Sequence, residues 1–133
     1  MIVLDAAALV DVLIDRPPAG WVLDQVDGAD VSAPSQQPAE VLSALCRLWR
    51  AGVLDDAALH DALAEFSAFP QELVAPTAAH LRRAAARATR IRVLDGLYVA
   101  IAEERSCSLV TTDHRLAGAP APCDVVAPPT LER

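Results

Sequence analysis

Lysine is absent from this chain of 133 residues, because all 11 of its basic residues are arginine. A Walker A loop, a Schiff-base enzyme and a receiver-type phosphoacceptor domain each depend on a lysine, so these three classes are excluded. Aromatic residues make up only 4% of the sequence, which argues against a stacking platform for single-stranded RNA. Apolar runs stay short of the roughly 18 residues that a membrane-spanning helix needs, and Asp5 interrupts the start where a signal peptide would be basic. We therefore expect a cytoplasmic protein without a membrane partner.

Cysteines are few, and basic residues are outnumbered by acidic ones. The three cysteines, Cys46, Cys107 and Cys123, are too widely spaced for a zinc knuckle or a redox motif, so reduced core thiols are predicted. The 18 acidic residues outnumber the 11 basic ones, and the net charge is -7. This sign opposes the binding of nucleic acid by bulk attraction. Any nucleic-acid site must therefore be local.

Apolar patterning predicts strands that alternate with helices. Short apolar runs at residues 1–4, 29–33, 72–75, 107–112 and 124–127 are typical of strands, whereas helical spacing recurs within 6–14, 21–26, 38–52 and 55–69 and after Thr77 and Asp95. This alternation favours an α/β fold with a mainly parallel central sheet of about 4–5 strands flanked by helices. The length suits one domain over residues 1–133.

Four acidic residues stand at the junctions of these predicted elements. Asp5 follows the first strand, Glu40 and Asp95 fall in first turns of helices, and Asp113 follows a late strand. Each has an ordinary explanation, because acids at helix starts act as caps or complement the helix dipole. In a parallel sheet, however, functional sites form at the carboxyl ends of strands, where Asp5 and Asp113 both fall. Together the acids predict one negatively charged crevice.

A crevice of this kind predicts a divalent metal ion. Uncompensated carboxylates repel one another, so they are tolerated together when a cation lies among them. Oxygen ligands select a hard ion, Mg²⁺ or Mn²⁺, over zinc or copper. Such an ion activates a water, holds a phosphate oxygen and stabilises the leaving oxygen of a phosphodiester. The predicted chemistry is phosphodiester hydrolysis, with the four acids as catalytic and metal-binding residues.

Four segments carry these acids: MIVLDAAALV, PAEVLSAL, LDGLYVAIAEE and SLVTTDHRLA. In order and spacing they resemble the motifs of PIN-domain ribonucleases of the VapC-like toxin group. The resemblance covers nearly the whole chain, implies a PIN-like three-layer fold and identifies the same four acids as the metal site. Two positions depart from the pattern: Ala7, where relatives often carry Ser or Asn, and Gly96, where Ala is usual.

The same resemblance implies a function. It predicts a metal-dependent endoribonuclease that acts as the toxin of a toxin–antitoxin pair, with Mg²⁺ or Mn²⁺ as cofactor and structured RNA such as tRNA or rRNA as substrate. Cleavage would leave a 5′-phosphate and a 3′-hydroxyl. The implied partners are a VapB-like antitoxin and a second copy of the chain in a homodimer, or a heteromeric complex with the antitoxin.

Thr111 is a candidate supporting residue for this site. It precedes Asp113 by two residues, so on a strand both side chains face the same way. Its hydroxyl is placed to orient the carboxylate or a bound water. The alternative is a threonine that only favours β structure.

Arginines supply the candidate RNA-binding residues. Arg83, Arg87 and Arg90 are predicted to share a helix face and to bind the RNA backbone, although such a face is usually only solvated. Arg47 lies two turns beyond Glu40 on the same predicted helix face and is a separate candidate near the crevice.

Two other functions compete with the nuclease. A catalytically inactive PIN-fold protein-binding module would act through partner contacts alone, but the presence of all four acids argues against it. A phosphatase with an aspartyl nucleophile at Asp5 is disfavoured, because Ala7 stands where such enzymes place a second Asp and their lysine is missing.

Overall fold

The computed structural model describes residues 1–130 and contains five strands and seven helices in that range. The strands are β1 (Ile2–Leu4), β2 (Val31–Pro34), β3 (Glu72–Val74), β4 (Ser108–Val110) and β5 (Val125–Val126). The helices are α1 (Ala6–Leu13), α2 (Ala19–Val26), α3 (Gln37–Arg50), α4 (Asp56–Ala68), α5 (Ala78–Ala86), α6 (Val93–Glu104) and α7 (His114–Ala117). The predicted α/β fold is confirmed. Residues 131–133 of the expected domain lie outside the described part.

All strand pairs of the sheet are parallel, in the order β3-β2-β1-β4-β5. The chain builds outward from β1 through β2 to β3 and then returns to β4 on the other side of β1. The carboxyl ends of an α/β sheet leave a crevice at such a reversal of strand order. Leu4 pairs with Val110 there, and the Asp5 N–H donates to the Val110 carbonyl oxygen at 2.9 Å. The residues that follow β1 and β4 therefore leave the sheet side by side.

The centre of the sheet is covered, which explains its apolar sequence. Val3, Leu4, Leu109 and Val110 are fully buried. Helix α6 packs on β1, β2 and β4, with α5 packed on α6, while α1 contacts α2, α3 and α4. Strands enclosed by helices carry continuous apolar runs instead of alternating ones. In residues 1–130, no helix combines the length and apolar character that crossing a bilayer requires.

Helix α5 ends earlier than its arginine-rich sequence indicated. It ends at Ala86, Arg87 takes the C-cap position, and Arg90 lies in the following turn. The N–H groups of Arg90 and Ile91 both donate to the Arg87 carbonyl oxygen at 2.9 Å, and Ile91 is buried. The chain has thus left the helix before it reaches Arg90. The prediction that Arg83, Arg87 and Arg90 share a helix face was therefore wrong.

Gly96 lies where α5 and α6 come closest. A Cβ added at this buried position would meet the Cα and Cβ of Ala84 at 3.2 Å each, tighter than ordinary van der Waals contact. Gly20, on α2, is exposed, and an added Cβ would meet nothing within 4 Å. The absence of a side chain at Gly96 thus permits close approach of the helix that carries Asp95. This accounts for the departure from the family pattern at this position.

We expect Gly96→Ala to lower the free energy of unfolding by about 1 kcal/mol, because the methyl group pushes against the α5 backbone. Gly20→Ala is the matched control, and it should raise that free energy by about 0.5 kcal/mol through helix propensity. Urea denaturation of both variants measures the two effects. Equal stabilisation by both substitutions would contradict the close helix contact.

Candidate active site

A cavity of about 480 Å³ opens at the carboxyl ends of β1 and β4. Five acids line it: the four singled out in the sequence, Asp5, Glu40, Asp95 and Asp113, and also Asp11. Asp5 follows β1 directly, and Asp113 follows β4. Glu40 and Asp95 arrive on first turns of helices, because a helix that crosses between parallel strands begins at their carboxyl edge. The topology therefore places all four carboxylates in one crevice.

Asp5 is the most buried of these acids, with 5% of its surface exposed. Its side chain does not cap α1; Oδ2 instead accepts a hydrogen bond from the Thr111 hydroxyl at 2.7 Å. Burial raises the pKa of Asp5 to about 7, with smaller contributions from the charges of Asp95 and Glu40, while the Thr111 bond opposes the rise. Near neutral pH, protons therefore compete with a cation for the Asp5 carboxylate of the metal-free site.

Thr111 supports this site in a different way from the one predicted. Its fully buried hydroxyl donates to Asp5 and accepts the backbone N–H of Asp113 at 3.0 Å. It therefore orients the carboxylate of Asp5 and the backbone of Asp113, not the Asp113 carboxylate. One hydroxyl joins the ends of β1 and β4.

Glu40 is held by a tyrosine that the sequence analysis did not identify. Oε2 of Glu40 accepts a hydrogen bond of 2.7 Å from the hydroxyl of Tyr98, which is fully buried on α6, three residues beyond Asp95. Burial raises the pKa of Glu40, and the Asp95 charge adds to the rise; the Tyr98 bond and the charge of Arg92 oppose it. The spacing of Asp95 and Tyr98 on one apolar helix was the available signal.

Asp95 and Asp113 differ in how they are engaged. Asp95 is half-buried, and its pKa is raised by burial and by Asp113, against the lowering effect of Arg92 and Arg115. Asp113 caps α7: Oδ1 accepts the Arg115 N–H at 2.9 Å, and Oδ2 lies 3.4 Å from the Arg115 guanidinium. A role in starting a helix therefore explains the side-chain bonds of Asp113, but not the side-chain positions of Asp5, Glu40 or Asp95.

Gln37 fixes the helix that carries Glu40. Its fully buried side chain donates from Nε2 to the Leu4 carbonyl oxygen at 3.1 Å and exchanges hydrogen bonds with Gln71. The first turn of α3 is thereby tied to the last residue of β1, next to Asp5. Sequence reasoning did not find this residue, because a glutamine beside a helix start carries no distinctive pattern.

Further charged residues line the cavity besides the predicted acids. Asp11, 8% exposed on α1, lies 3.5 Å from Arg16, and both face the cavity. The signal for Asp11 was a lone acid within the apolar segment AAALVDVLI. Arg92, the residue before α6, and Arg47, already a candidate, also line the cavity.

The arginines predicted to bind RNA do not line this cavity. Arg87 is partly buried and forms an ion pair with Glu103, with Nη2 2.6 Å from Oε2. Arg83 and Arg90 are exposed. Arg87 is thus engaged in an ion pair within the fold, whereas Arg83 and Arg90 lie on the surface.

The donor set of the cavity fits a hydrated Mg²⁺ or Mn²⁺ ion. Within residues 1–130, no group of three or more His, Cys, Asp or Glu side chains is arranged to hold a metal by itself. Zinc sites need three or four close protein ligands, whereas Mg²⁺ keeps several waters and takes one or two carboxylates together with substrate phosphates. Mutually repelling carboxylates, three of them with raised pKa values, are suited to such an ion.

Comparison with known proteins places this chain in a family. The PIN domain family model matches residues 2–121. The chain is 40% identical over 121 residues to ribonuclease VapC3 of Mycobacterium tuberculosis, covering 89% of this chain and 86% of that protein. It is 32% identical over 120 residues to ribonuclease VapC12 of the same organism, covering 88% and 90%.

Solved structures agree at the level of the fold. A toxin–antitoxin complex from Klebsiella pneumoniae matches with a TM-score of 0.72 at 18% identity, covering 98% of this chain and 100% of that one. The crystal structure of PAE2754 from Pyrobaculum aerophilum matches with a TM-score of 0.69 at 23% identity, covering 93% and 81%. With its parallel sheet and the acids at the carboxyl edge, the chain belongs to the PIN domain family, in its VapC-like group.

Proposed function

We propose that this protein is a Mg²⁺- or Mn²⁺-dependent endoribonuclease that serves as the toxin of a toxin–antitoxin pair and cuts structured RNA such as tRNA or rRNA. The observation that carries the proposal is the convergence of Asp5, Glu40, Asp95 and Asp113 on one cavity. The similar proteins VapC3 and VapC12 are ribonucleases, which supports RNA cleavage by this chain. A catalytically inactive binding module would have no reason to keep Asp5 buried at this energetic cost.

In this proposal Asp5, Glu40, Asp95 and Asp113 would hold a hydrated ion, one or two of them directly and the others through its waters. When bound, the ion lowers the pKa of an attacking water and stabilises charge on the phosphate and on the leaving oxygen. Thr111 orients Oδ2 of Asp5, and Tyr98 occupies Oε2 of Glu40, so Oε1 of Glu40 is left to orient the water and accept its proton. The water oxygen would form the new bond to phosphorus as the bond to the 3′ oxygen breaks, and the leaving 3′ oxygen would take a proton from solvent water. The products are a 5′-phosphate and a 3′-hydroxyl.

An antitoxin partner is part of the proposal. Similar folds occur in the toxin–antitoxin complex from Klebsiella pneumoniae and in VapBC2 from Rickettsia felis, which was crystallised with a DNA fragment from its promoter. These likenesses support a VapB-like partner for this chain. The homodimer and the cytoplasmic location stay predictions.

Incubation of the purified protein with total tRNA and rRNA tests the activity. We expect cleavage with Mg²⁺ or Mn²⁺, no cleavage in EDTA, and ends with 5′-phosphate and 3′-hydroxyl groups when the fragments are sequenced. In parallel, calorimetric titration with Mn²⁺ should detect a site in the wild type that Asp95→Asn weakens about tenfold or more. The exposed Asp61→Asn substitution on α4 is the control and should leave binding unchanged. No metal-dependent cleavage and no carboxylate-dependent heat would instead support the inactive binding module.

A further inference from the structure

Two arginines share the cavity with the acids. Glu40 and Arg47 lie on α3, while Arg92 is the N-cap residue just before α6, three positions before Asp95. Both arginines are exposed and both line the cavity. Each helix that supplies a carboxylate to the crevice therefore also supplies a guanidinium group.

Neither of these arginines is engaged within the described fold. Among residues 1–130, Arg47 and Arg92 form no ion pair and no side-chain hydrogen bond, whereas the third arginine of the cavity, Arg16, lies 3.5 Å from Asp11. Arg87, by contrast, is bonded to Glu103 at 2.6 Å. The cavity thus presents two guanidinium groups whose donors are available to a ligand.

The negative net charge of the protein explains why a bound RNA strand would need these two arginines. The chain carries a net charge of -7, and its cavity is lined by carboxylates, so an RNA strand entering it meets repulsion. A divalent ion compensates this repulsion at the phosphate that reacts, but not at its neighbours. Arginine offers a planar fork of donors that matches phosphate oxygens and stays charged at all relevant pH values.

We propose that Arg47 and Arg92 form the phosphate-binding subsite of this cavity and hold RNA backbone phosphates that flank the reacting one. The inference rests on the proposed function for the identity of the polyanion. It assigns RNA contact to the two cavity arginines in place of Arg83, Arg87 and Arg90, which do not line the cavity. Each arginine adds one phosphate contact.

The proposal is tested by measuring RNA binding directly. A cleavage rate would mix two effects, because Arg92 also lowers the pKa of Asp95 and Glu40 besides binding phosphate. The probe is a short fluorescein-labelled RNA hairpin, titrated by anisotropy with protein carrying Asp5→Asn, in Mg²⁺ and at several salt concentrations. Gel electrophoresis verifies that the RNA stays intact. Arg47→Ala, Arg92→Ala, the double variant and the corresponding lysine substitutions are compared in this background.

We expect each alanine substitution to raise the Kd about tenfold. It should also reduce the slope of log Kd against log salt by about 0.7 to 0.9, as expected for one lost phosphate contact. Lysine should restore the slope but only part of the affinity, because it keeps the charge without the fork. Arg50→Ala is the matched control: Arg50 is exposed in the same last turn of α3 as Arg47 but does not line the cavity.

Three outcomes would overturn the subsite. The first is a Kd and salt slope that stay unchanged in both alanine variants, and the second is an equal loss in Arg50→Ala. The third is binding of poly-L-glutamate, with the same arginine dependence, more tightly than the RNA, which would assign the arginines to an acidic protein segment. Arginine-dependent RNA binding without cleavage by the wild type would support the subsite while contradicting the nuclease. Metal-dependent cleavage without arginine-dependent binding would support the nuclease while contradicting the subsite.

Discussion

Asp5→Asn is expected to reduce RNA cleavage by about 10²–10³-fold and, at the same time, to stabilise the metal-free protein. The loss of activity follows because an amide oxygen carries no charge for the ion that the carboxylate would hold. The gain in stability follows from burial: Asp5 is 5% exposed and makes no ion pair among the described residues. An asparagine of nearly the same shape still accepts the Thr111 hydrogen bond without carrying the buried charge.

The pH dependence of this gain has a definite sign. The pKa of Asp5 is raised from 3.8 to about 7 in the fold, so the folded protein keeps a proton that the unfolded chain releases between these values. The free energy of unfolding of the wild type therefore falls as the pH rises through this window and levels off above it. A pKa shift of this size corresponds to a gain of at most about 4 kcal/mol in the free energy of unfolding when the charge is removed. The cost of burying the new amide group of asparagine offsets part of this gain.

Urea denaturation in EDTA measures the difference between wild type and Asp5→Asn. We expect little difference near about pH 4.5 and a stabilisation of about 2 kcal/mol near about pH 8. Asp61→Asn, exposed on α4, should show no such pH-dependent gain. A variant less stable than the wild type at the higher pH would show that the Asp5 carboxylate has a stabilising partner, and an Asp5→Asn protein that still cuts RNA would refute its place in the active site.

Thr111→Val is expected to destabilise the fold by about 2 kcal/mol and to slow cleavage by about 10- to 100-fold. Valine matches the shape of threonine but removes the hydroxyl that donates to Asp5 at 2.7 Å and accepts the Asp113 N–H at 3.0 Å. Two buried or half-buried polar groups then lose their partner. The Asp5 carboxylate also loses the contact that orients it toward the cavity.

The pH profile separates this effect from simple packing. Because the hydroxyl stabilises the ionised form of Asp5 and so lowers its pKa, its loss costs most above about pH 7 and less where Asp5 is protonated. Urea denaturation across this range, with cleavage assays at saturating metal, provides the readout. Thr111→Ser retains the hydroxyl and should recover most of the activity. A destabilisation independent of pH, equal in the serine and valine variants, would assign Thr111 a packing role alone.

The acids of the site could be predicted because their signal is local. Asp5, Glu40, Asp95 and Asp113 each stand at the junction of an apolar strand or helix pattern, and parallel topology sends such junctions to one edge of the sheet. The local sequence is equally compatible with a capping role for these acids at helix starts. In the structure, only the side chain of Asp113 has such a role. A capping role and a cavity role have the same sequence pattern, so the packed structure was needed to separate them.

The partners of those acids could not be predicted, because they are set by register and helix docking. Thr111 reaches Asp5 across 106 positions of sequence, since β1 and β4 pair directly, and Tyr98 reaches Glu40 across 58 positions, since α6 lies over β1 and β2. Similarly, α5 ends at Ala86, and the turn that leads to the buried Ile91 removes Arg90 from the helix face of Arg83.

The sequence by itself determined the α/β class, the order of the elements other than the short α7 and the four carboxylates, because periodicity and residue type at element ends are properties of short segments. Only the tertiary structure decided which hydroxyls orient Asp5 and Glu40 and that Arg16 and Arg92 face the cavity together with Arg47. Hydrogen bonds and burial depend on distances between segments far apart in the chain, and these distances exist only after the sheet has paired and the helices have packed.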